Sequence, residues 1–386
     1  MNNSNSTKLK VLFIAQNIPV PGIRPSRIII DIAHQLSSFA DLSFLYPSER
    51  IPFGFQWIAK YRPFYNLKKW NIEGFEISVS KYFRLPFKKA AFWCWNKLSK
   101  KDIKFYQKKG PFDLIHAHYL FPDGYMAYLF SKKYTVPYII TIRNADIRHL
   151  KRIGRGNPDF EKAKEIISNA KKVLSLNMAY KDFIDELFDI SSVIVPHGIE
   201  EEAFYKDPAI SKDKVKITVV AEFIRRKNID WVIRAFKSYS GKKEIELNII
   251  GDGPLAGELK HLAANDDRIK FHGKVPRAKV LRALQASDIF VLPSEDESFG
   301  LVYLEAAATS NAIIGLKDEG VWGVFKAHEE MLFCADEKEL NKLLSSLIDD
   351  AQQREQLKQN AFSKASTLKW SNIVEQYKEI YSKAII

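Results

Sequence analysis

The chain has 386 residues, of which 46% are hydrophobic, and its 59 lysines and arginines against 46 acidic residues give a formal net charge of +13. This length and apolar content are enough for two domains, each with its own core. The positive charge predicts an anionic partner or surface. The two cysteines, Cys94 and Cys334, lie far apart, which argues against a disulfide framework and favours a reducing compartment.

Several classes of protein are disfavoured by what the sequence lacks. The apolar run near the start ends at Gln16 and Asn17 and is too short for a signal peptide. No stretch has the length that spans a bilayer. Paired cysteines and the His-x-x-x-His pattern are both missing, so we expect no metal site. These features predict a cytoplasmic protein.

In the first half of the chain, short apolar and β-branched runs alternate with helical stretches. The predicted helices include residues 26–38 and 161–170. Such alternation is typical of parallel sheets with helices on both faces. We expect a domain boundary at Pro196-His197-Gly198, which the polar segment 200–214 follows. The strands predicted before this boundary are residues 11–15, 42–46, 114–117, 138–142, 173–176 and 193–195.

The second half repeats the alternation. Predicted helices include residues 229–240 and 301–309, and apolar residues at helical spacing predict a last helix that begins at Trp370. Ligands of open α/β sheets bind at the carboxyl ends of the strands, so two such domains predict a cleft between them. The strands predicted here are residues 216–221, 246–250, 289–292 and 312–316.

Residues 287–309 carry the most informative motif: a strand, a short acidic loop and an alanine-rich helix. Glu297 lies in the loop, Ser298-Phe299-Gly300 forms a turn, and Leu301 begins the helix that contains Glu305. A helix N-terminus reached through a glycine turn offers unpaired N–H groups and a positive dipole to a phosphate. Glu305 can accept hydrogen bonds from a ribose, and Glu297 from hydroxyls beyond the phosphates. The motif therefore suits a nucleotide-activated sugar.

This segment resembles the glutamate–seven-residue–glutamate motif of the retaining glycosyltransferases of family 4, in the glycogen-phosphorylase/glycosyltransferase superfamily. The resemblance implies the α/β GT-B architecture, in which two Rossmann-like, doubly wound parallel-sheet domains face a central cleft. It implies an acceptor-binding domain over residues 1–197 and a nucleotide-sugar donor domain over 198–369. The last helix, 370–386, would cross back to complete the first domain.

Other segments extend the resemblance to the donor site. Residues 17–29 resemble an opening loop in which a glycine, here Gly22, lets the backbone approach the donor diphosphate. Residues 219–236 place Lys227 where the family has a diphosphate-binding lysine. Residues 249–259 contain a tight Gly-Asp-Gly-Pro turn that brings backbone close to the base or phosphates. The resemblance thus implies donor binding by Gly22, Arg226, Lys227, Gly251, Gly253, Ser298, Phe299, Gly300, Leu301 and Glu305.

The acceptor side and the reacting centre show both matches and departures. Residues 114–146 resemble the family's acceptor strands, where His118 matches a frequent histidine and Arg143 replaces another. We predict catalytic roles for His118, Arg143 and Glu297. Glu222 stands where many members have a phosphate-binding arginine.

The change at Glu222 has a consequence for the neighbouring arginines. Arg225 or Arg226 would take over the phosphate contact, because guanidinium binds phosphate through two hydrogen bonds. Further on, Trp322 stands where the family usually has an acidic residue.

Residues 81–110 combine ten basic residues and one acid, Asp102, with many aromatic residues. Aromatic rings favour the membrane interface, and each basic residue gains about 1 kcal/mol near an anionic leaflet. We expect residues 88–101 to form an amphipathic interfacial helix. The alternative is a domain helix with aromatic residues in the core and lysines in solvent. Nucleic acid is a third possibility, but no binding motif accompanies the charge, and we expect no nucleic-acid partner.

Together these features predict a cytoplasmic enzyme, peripheral on the inner face of the cell membrane. It would be a retaining hexosyltransferase that uses a nucleoside-diphosphate sugar such as a UDP-sugar. Its acceptor would be lipid-linked or a saccharide, and the enzyme would act in surface polysaccharide biosynthesis. We expect it to need no cofactor or metal. Two alternatives stay open: a catalytically weak nucleotide-sugar-binding protein of the same fold, suggested by Glu222 and Arg143, and a nucleotide-sugar epimerase.

Overall fold

The computed structural model describes residues 8–21, 27–49, 67–82, 97–204 and 214–386. The chain divides into two compact α/β units. The first comprises Met1–Ser175, Tyr180–Ile194 and Val374–Ile386, and the second Leu176–Ala179 and Val195–Ile373. The chain passes between the units at Ile194, three residues before the predicted boundary. The short segment Leu176–Ala179 has no counterpart in the predicted division.

The first unit is built on an eight-stranded sheet in the order β3-β4-β2-β1-β5-β6-β7-β8, parallel except between β3 and β4. Its strands are β1 (Leu9–Ile14), β2 (Ala40–Glu49), β3 (Trp70–Ile72), β4 (Phe75–Tyr82), β5 (Leu114–Ala117), β6 (Tyr138–Thr141), β7 (Lys172–Ser175) and β8 (Val193–Ile194). The helices between them are Ile28–Leu36, Lys100–Lys109, Tyr125–Tyr134, Asn144–Arg152, Pro158–Asn169 and Met178–Phe188, with a short turn at Leu120–Gly124.

The order of the strands locates the edge of this sheet at which ligands are expected to bind. The chain builds outward from β1 to β2 on one side and to β5 on the other. Every residue of β5 and β6 is buried, as expected for parallel strands covered on both faces. Ligands of open α/β sheets bind where the strand order reverses, so the carboxyl ends of β1 and β5 mark the favoured position.

The second unit is built on a six-stranded, wholly parallel sheet in the order β11-β10-β9-β12-β13-β14. Its reversal point lies between β9 and β12. The strands are β9 (Lys214–Val220), β10 (Glu244–Ile250), β11 (Ile269–Gly273), β12 (Ile289–Leu292), β13 (Ala312–Leu316) and β14 (Leu332–Cys334). The helices are Ile229–Ser238, Ala256–Leu262, Arg277–Gln285, Leu301–Ala308, Glu337–Asp349, Ala351–Thr367 and Trp370–Ile385, with short turns at Glu201–Ala203 and Arg225–Lys227.

The predicted fold class, two α/β domains with parallel sheets, is confirmed. Each of the ten predicted strands is present, and three of them, Leu114–Ala117, Ile289–Leu292 and Ala312–Leu316, have the predicted bounds. The strands that the sequence did not predict are β3, β4, β11 and β14. They are short, or they mix polar and apolar residues toward a sheet edge, and so lack the continuous apolar run of a central strand.

The predicted amphipathic helix over residues 88–101 is wrong at its described end. Residues 97–99 are not helical, and a new helix begins at Lys100. Ser99 caps this helix: its hydroxyl accepts the Asp102 N–H at 3.2 Å, while the Asp102 carboxylate accepts the Ser99 N–H at 2.8 Å. This reciprocal capping box sets a helix start. Residues 83–96 lie outside the described part of the chain.

The last helix, Trp370–Ile385, begins in the second unit and joins the first unit from Val374 onward. Inside the first unit, the buried Tyr381 hydroxyl is hydrogen-bonded to Nδ1 of His116 at 2.7 Å. The other ring nitrogen of His116 pairs with the Thr141 hydroxyl at 2.8 Å. The end of the chain is therefore tied to the core beneath β5 and β6.

Candidate functional site

The turn after β12 is held by its own apolar side chains. Phe299 is buried and packs edge-on against the ring of His197 at 5.0 Å between centroids. Gly300 has φ +77°, and a Cβ there would lie 2.6 Å from the ring of Tyr303. Tyr303 in turn donates to the carbonyl of Leu292 at 2.5 Å. The glycine lets the chain turn sharply into the helix Leu301–Ala308, whose first N–H groups are thus presented at the carboxyl end of the sheet.

Glu297 and Lys227, one from each of two predicted site loops, form an ion pair. Only 11% of the Lys227 side chain and 15% of the Glu297 side chain is exposed. The Ser294 hydroxyl lies 3.3 Å from the same carboxylate, the Glu297 N–H donates to the Glu319 carboxylate at 2.9 Å, and the Gly320 N–H donates to the Glu297 carbonyl at 3.1 Å. The predicted sugar-binding acid and the predicted phosphate-binding lysine therefore occupy one charged network.

Arg226, rather than Arg225, lies with this network. Its guanidinium donates to the carbonyl of Asp296 at 3.1 Å, and its own carbonyl accepts the Glu295 N–H at 2.7 Å. Arg225 instead pairs with Glu258 at 3.4 Å, where both side chains are well exposed. Of the two arginines that could replace the missing phosphate contact, Arg226 is thus the one placed beside the loop of Glu297.

The Gly-Asp-Gly-Pro turn approaches β9 closely enough to require glycine. Gly251 has φ +141°, and a Cβ there would overlap the Ala221 carbonyl oxygen. A Cβ at Gly253 would lie 2.7 Å from the carbonyl oxygen of Phe223. The Phe223 N–H donates to the Asp252 carbonyl at 2.9 Å. The turn after β10 and the loop after β9 are consequently packed backbone against backbone.

Glu305 is held by an arginine that sequence reasoning missed. Only 12% of its side chain is exposed, and Oε1 accepts from Nε of Arg277 at 2.7 Å. Burial raises the pKa of Glu305 and the neighbouring Arg277 counteracts that rise. Arg277 opens the helix that follows β11, a strand the sequence did not predict, so no local signal pointed to it.

In the first unit, the chain segment after β1 is fastened to the segment after β5. The Gln16 side chain donates to the Phe121 carbonyl at 3.1 Å, and its N–H donates to Asp123 at 3.2 Å. The Asn17 amide donates to the Tyr119 hydroxyl at 2.8 Å. These bonds fix the start of the predicted opening loop at the reversal point of the sheet. Gly22 lies outside the described residues.

The two predicted catalytic residues of the first unit touch each other. His118 is fully buried, with its ring 4.2 Å from that of His116 and 4.6 Å from that of Phe13. Arg143 is 5% exposed, donates through Nε to the His118 carbonyl at 3.1 Å, and lies 5.6 Å from the Tyr119 ring. Burial lowers the pKa of His116 to about 3, with a smaller effect from Arg143, so this histidine is neutral.

Two buried carboxyl groups beside Arg143 were also missed. Burial raises the pKa of Asp146 to about 7, although this group accepts the N–H bonds of Leu120 and Arg143 at 3.0 Å each. Burial likewise raises the pKa of Asp123 well above its usual range. Within the described residues, Asp123 Oδ1 and Arg143 Nη2 have no hydrogen-bond partner. Their only sequence signal, an aspartate in a Pro-Asp-Gly string, is equally typical of a surface turn.

The donor residues predicted for the second unit therefore gather at the carboxyl ends of β9, β10 and β12, and His118 and Arg143 at those of β5 and β6. Among the described residues, no three His, Cys, Asp or Glu side chains group as a metal would require. No helix within the described ranges combines the length and apolar character that crossing a membrane demands.

Comparison with known proteins agrees with this geometry. Residues 200–364, which contain every described donor residue named above, match the family described as glycosyl transferases group 1. This region belongs to that glycosyltransferase family. An uncharacterized glycosyltransferase of Methanocaldococcus jannaschii is 24% identical over 275 residues, which cover 70% of this chain and 75% of that protein. Alpha-monoglucosyldiacylglycerol synthase of Acholeplasma laidlawii is 28% identical over 308 residues, 72% of this chain and 75% of that enzyme.

The fold of this chain also has a solved counterpart. The crystal structure of Anabaena HepE in complex with UDP matches 97% of this chain and 99% of that chain, with a TM-score of 0.69 and 16% identity. The family match over residues 200–364 and this fold together confirm the recognition of a glycosyltransferase with the GT-B fold.

Proposed function

We propose that this glycosyltransferase is a retaining hexosyltransferase of family 4 whose donor is a nucleoside-diphosphate sugar. The observation that carries the proposal is the buried ion pair between Lys227 and Glu297 beside the Ser298–Gly300 turn, with Glu305 in the helix behind it. These groups offer a cation and helix N–H groups to a diphosphate, and carboxylates to the hydroxyls on either side of it. The Anabaena protein was crystallised with UDP, which makes UDP-sugars the first donors to test.

In the proposed reaction, the donor diphosphate replaces Glu297 as the partner of Lys227. Glu297 then accepts hydroxyls of the transferred sugar, and Glu305 accepts those of the ribose. As the glycosidic bond breaks, negative charge grows on the diphosphate, and Lys227, Arg226 and the helix N–H groups stabilise it. The acceptor hydroxyl attacks on the leaving-group face and passes its proton to the departing phosphate oxygen. We propose that these fixed positive groups do the work of a metal in this reaction.

On the acceptor side we propose catalytic roles for His118 and Arg143. Because Arg143 donates to the backbone carbonyl of His118, the position of each depends on the other. The guanidinium supplies the positive charge that a neutral histidine in its place would lack.

The acceptor is proposed to be lipid-linked or a saccharide, used in surface polysaccharide assembly at the inner face of the membrane. Support comes from a lysine surface in the first unit. The helix Lys100–Lys109 packs on Tyr125–Tyr134 through Tyr106 and Tyr134, whose rings stack at 3.8 Å. The name of the Acholeplasma laidlawii relative describes a glycosylated diacylglycerol as its product. The exposed lysines of the two helices, here called the lysine surface, are Lys100, Lys101, Lys104, Lys108, Lys109, Lys132 and Lys133.

The proposal is tested by titrating the protein with a panel of nucleotide sugars, beginning with UDP-glucose, with calorimetry as readout. The donor that binds is then incubated with sugar acceptors, and NMR of the products distinguishes three outcomes: transfer with retained anomeric configuration, epimerisation, and binding without reaction. Lys227→Met should abolish binding, whereas Lys242→Met, an exposed lysine of the same unit, should not. An inverted product, an epimerised nucleotide sugar, or no binding by any donor would each contradict the proposal.

A further inference from the structure

A four-residue segment from the β7 connection lies against the donor loops of the second unit. Leu176–Ala179 belongs to that unit, and Asn177 within it is fully buried. The Asn177 side-chain amide donates to the carbonyl of Ser298 at 3.2 Å and to that of Gly320 at 2.7 Å. A single side chain therefore joins the loop after β12 to the loop after β13. We call this pair of hydrogen bonds the Asn177 bridge.

The two bridged carbonyls flank Glu297. Ser298 is the next residue in the chain, and the Gly320 N–H donates to the Glu297 carbonyl at 3.1 Å. Glu319, the neighbour of Gly320, accepts the Glu297 N–H at 2.9 Å. The N–H and the carbonyl of Glu297 are thus both hydrogen-bonded to residues 319–320. The Asn177 bridge in turn links the carbonyl of Gly320 to that of Ser298. The backbone from which the Glu297 side chain extends is therefore held in place on both sides.

Close packing reinforces the bridge. The Met178 N–H donates to the Trp322 carbonyl at 3.0 Å. Gly323 has φ +73°, and a Cβ there would overlap the Cβ of Met178. The Trp322 ring, meanwhile, packs edge-on against Phe333 at 4.9 Å. The loop that carries Gly320 therefore has little freedom to move away from the segment that carries Asn177.

We propose that Asn177 is a positioning residue of the donor site, which sets the direction of Glu297 and the Ser298–Gly300 turn through the Asn177 bridge. This inference rests on the proposed function. A buried asparagine that only stabilises the fold would make similar hydrogen bonds, so a test must separate the two roles. The second unit supplies a matched control: Asn311 is also fully buried, and its side-chain amide also donates to backbone carbonyls, those of Leu284 at 2.9 Å, Ala306 at 3.1 Å and Thr309 at 3.3 Å.

The first measurement is amide hydrogen exchange on the full chain without ligand. Asn177→Ala leaves two carbonyls without their donor, and Asn177→Asp replaces the donor by a group that repels them. In both variants, peptides covering residues 296–300 and 318–322 should exchange about 10-fold faster or more. Asn177→Ser, which keeps one hydroxyl donor, should lie between them and the wild type. Asn311→Ala should lower thermal stability and leave exchange in these two loops unchanged.

The second measurement compares KM and kcat with UDP-glucose, or with the donor that binds best, and the affinity for UDP alone. Misplacing a positioned group by about 1 Å costs as much as 100-fold. We expect KM to rise 10- to 100-fold in Asn177→Ala, while the affinity for UDP, which keeps its ribose contact with Glu305, falls less. Asn311→Ala should leave both unchanged.

Each result decides the matter. If hydrogen exchange in both loops of Asn177→Ala equals that of the wild type, the claim that the Asn177 bridge holds these loops is wrong, whatever the substrate. Faster exchange with unchanged KM and affinity overturns the positioning role, because the bridge would then serve stability alone. If the wild type binds no nucleotide sugar, the proposed function and the donor role of Asn177 fail together, while the exchange result still reports whether the bridge holds the loops.

Discussion

The contact between Glu305 and Arg277 gives the sharpest prediction for the donor site. Glu305 lies mostly buried in the helix after the turn, and within the described residues Arg277 engages only its Oε1. In the proposed donor complex, the second oxygen accepts a ribose hydroxyl. Removing a charged hydrogen-bond acceptor costs about 1.5–3 kcal/mol. Glu305→Ala should therefore weaken donor binding about 10- to 150-fold.

Calorimetry with two ligands identifies the part of the donor that Glu305 contacts. UDP contains the ribose but no sugar to be transferred, so Glu305→Ala should weaken UDP and UDP-glucose by the same factor. Glu305→Gln keeps an acceptor oxygen without the charge and should lose less. Arg277→Ala should weaken the binding of both ligands, because Arg277 orients the Glu305 carboxylate.

One result would refute the ribose assignment outright: a folded Glu305→Ala variant that binds its nucleotide sugar as tightly as the wild type. A loss confined to UDP-glucose would move the contact to the transferred sugar. Thermal unfolding of each variant, measured beside the titration, shows whether a lost affinity reflects a lost fold.

Three further predictions follow from other contacts. Gly251→Ala should destabilise the second unit and abolish donor binding, because its Cβ would overlap the Ala221 carbonyl; Gly257→Ala, with no atom within 4 Å, should be neutral or stabilising by denaturant titration. Burial raises the pKa of Asp123, which lies near the charges of Arg143 and Asp146. The folded state therefore binds the Asp123 proton more tightly than the unfolded state does, and the free energy of unfolding falls as pH rises above about 4. Asp123→Asn should therefore gain stability relative to wild type between pH 5 and pH 8, and a difference independent of pH would contradict this. Wild-type protein should float with anionic vesicles at low salt and less so at physiological salt. Flotation should be lost when four lysines of the lysine surface are replaced by glutamate: Lys100, Lys101, Lys104 and Lys108. It should be kept when four exposed lysines of the second unit are replaced in the same way: Lys242, Lys274, Lys338 and Lys342.

The sequence predicts the centre of each sheet well and its edges poorly. Residues 289–292 and 312–316 are buried on both sides, so an unbroken apolar run marks them. β11 has exposed or half-buried residues at most positions, and its mixed sequence resembles that of a loop. The start of the helix at Lys100 shows a different limit. Its Ser-Lys-Lys-Asp capping signal is present in the sequence, but basic and aromatic composition favoured a helix that ran through it.

The candidate site is predictable where one stretch of chain supplies it. The strand, turn and helix around Glu297 are contiguous, so their spacing alone placed these groups together. Arg277 contacts Glu305 of this helix from 28 residues away, and Asn177 contacts Ser298 of this turn from 121 residues away. No local pattern distinguishes such residues from ordinary surface or core positions, because their role exists only after the sheet has brought distant loops to one edge.

The departures from the family pattern can now be weighed against positions in the fold. Glu222, whose charge suggested a weakened donor site, is exposed, whereas Arg226 is half-buried and bonded to the loop of Glu297. A guanidinium is therefore retained next to Lys227 despite the change at residue 222, and the electrostatic argument for a weak binding protein loses its main support. Arg143 is a different case, because it lies beside two buried carboxyl groups of raised pKa, and its charge lowers the pKa of both. Replacing Arg143 by histidine would remove this fixed positive charge, so the arginine and the two buried carboxyl groups form one electrostatic unit.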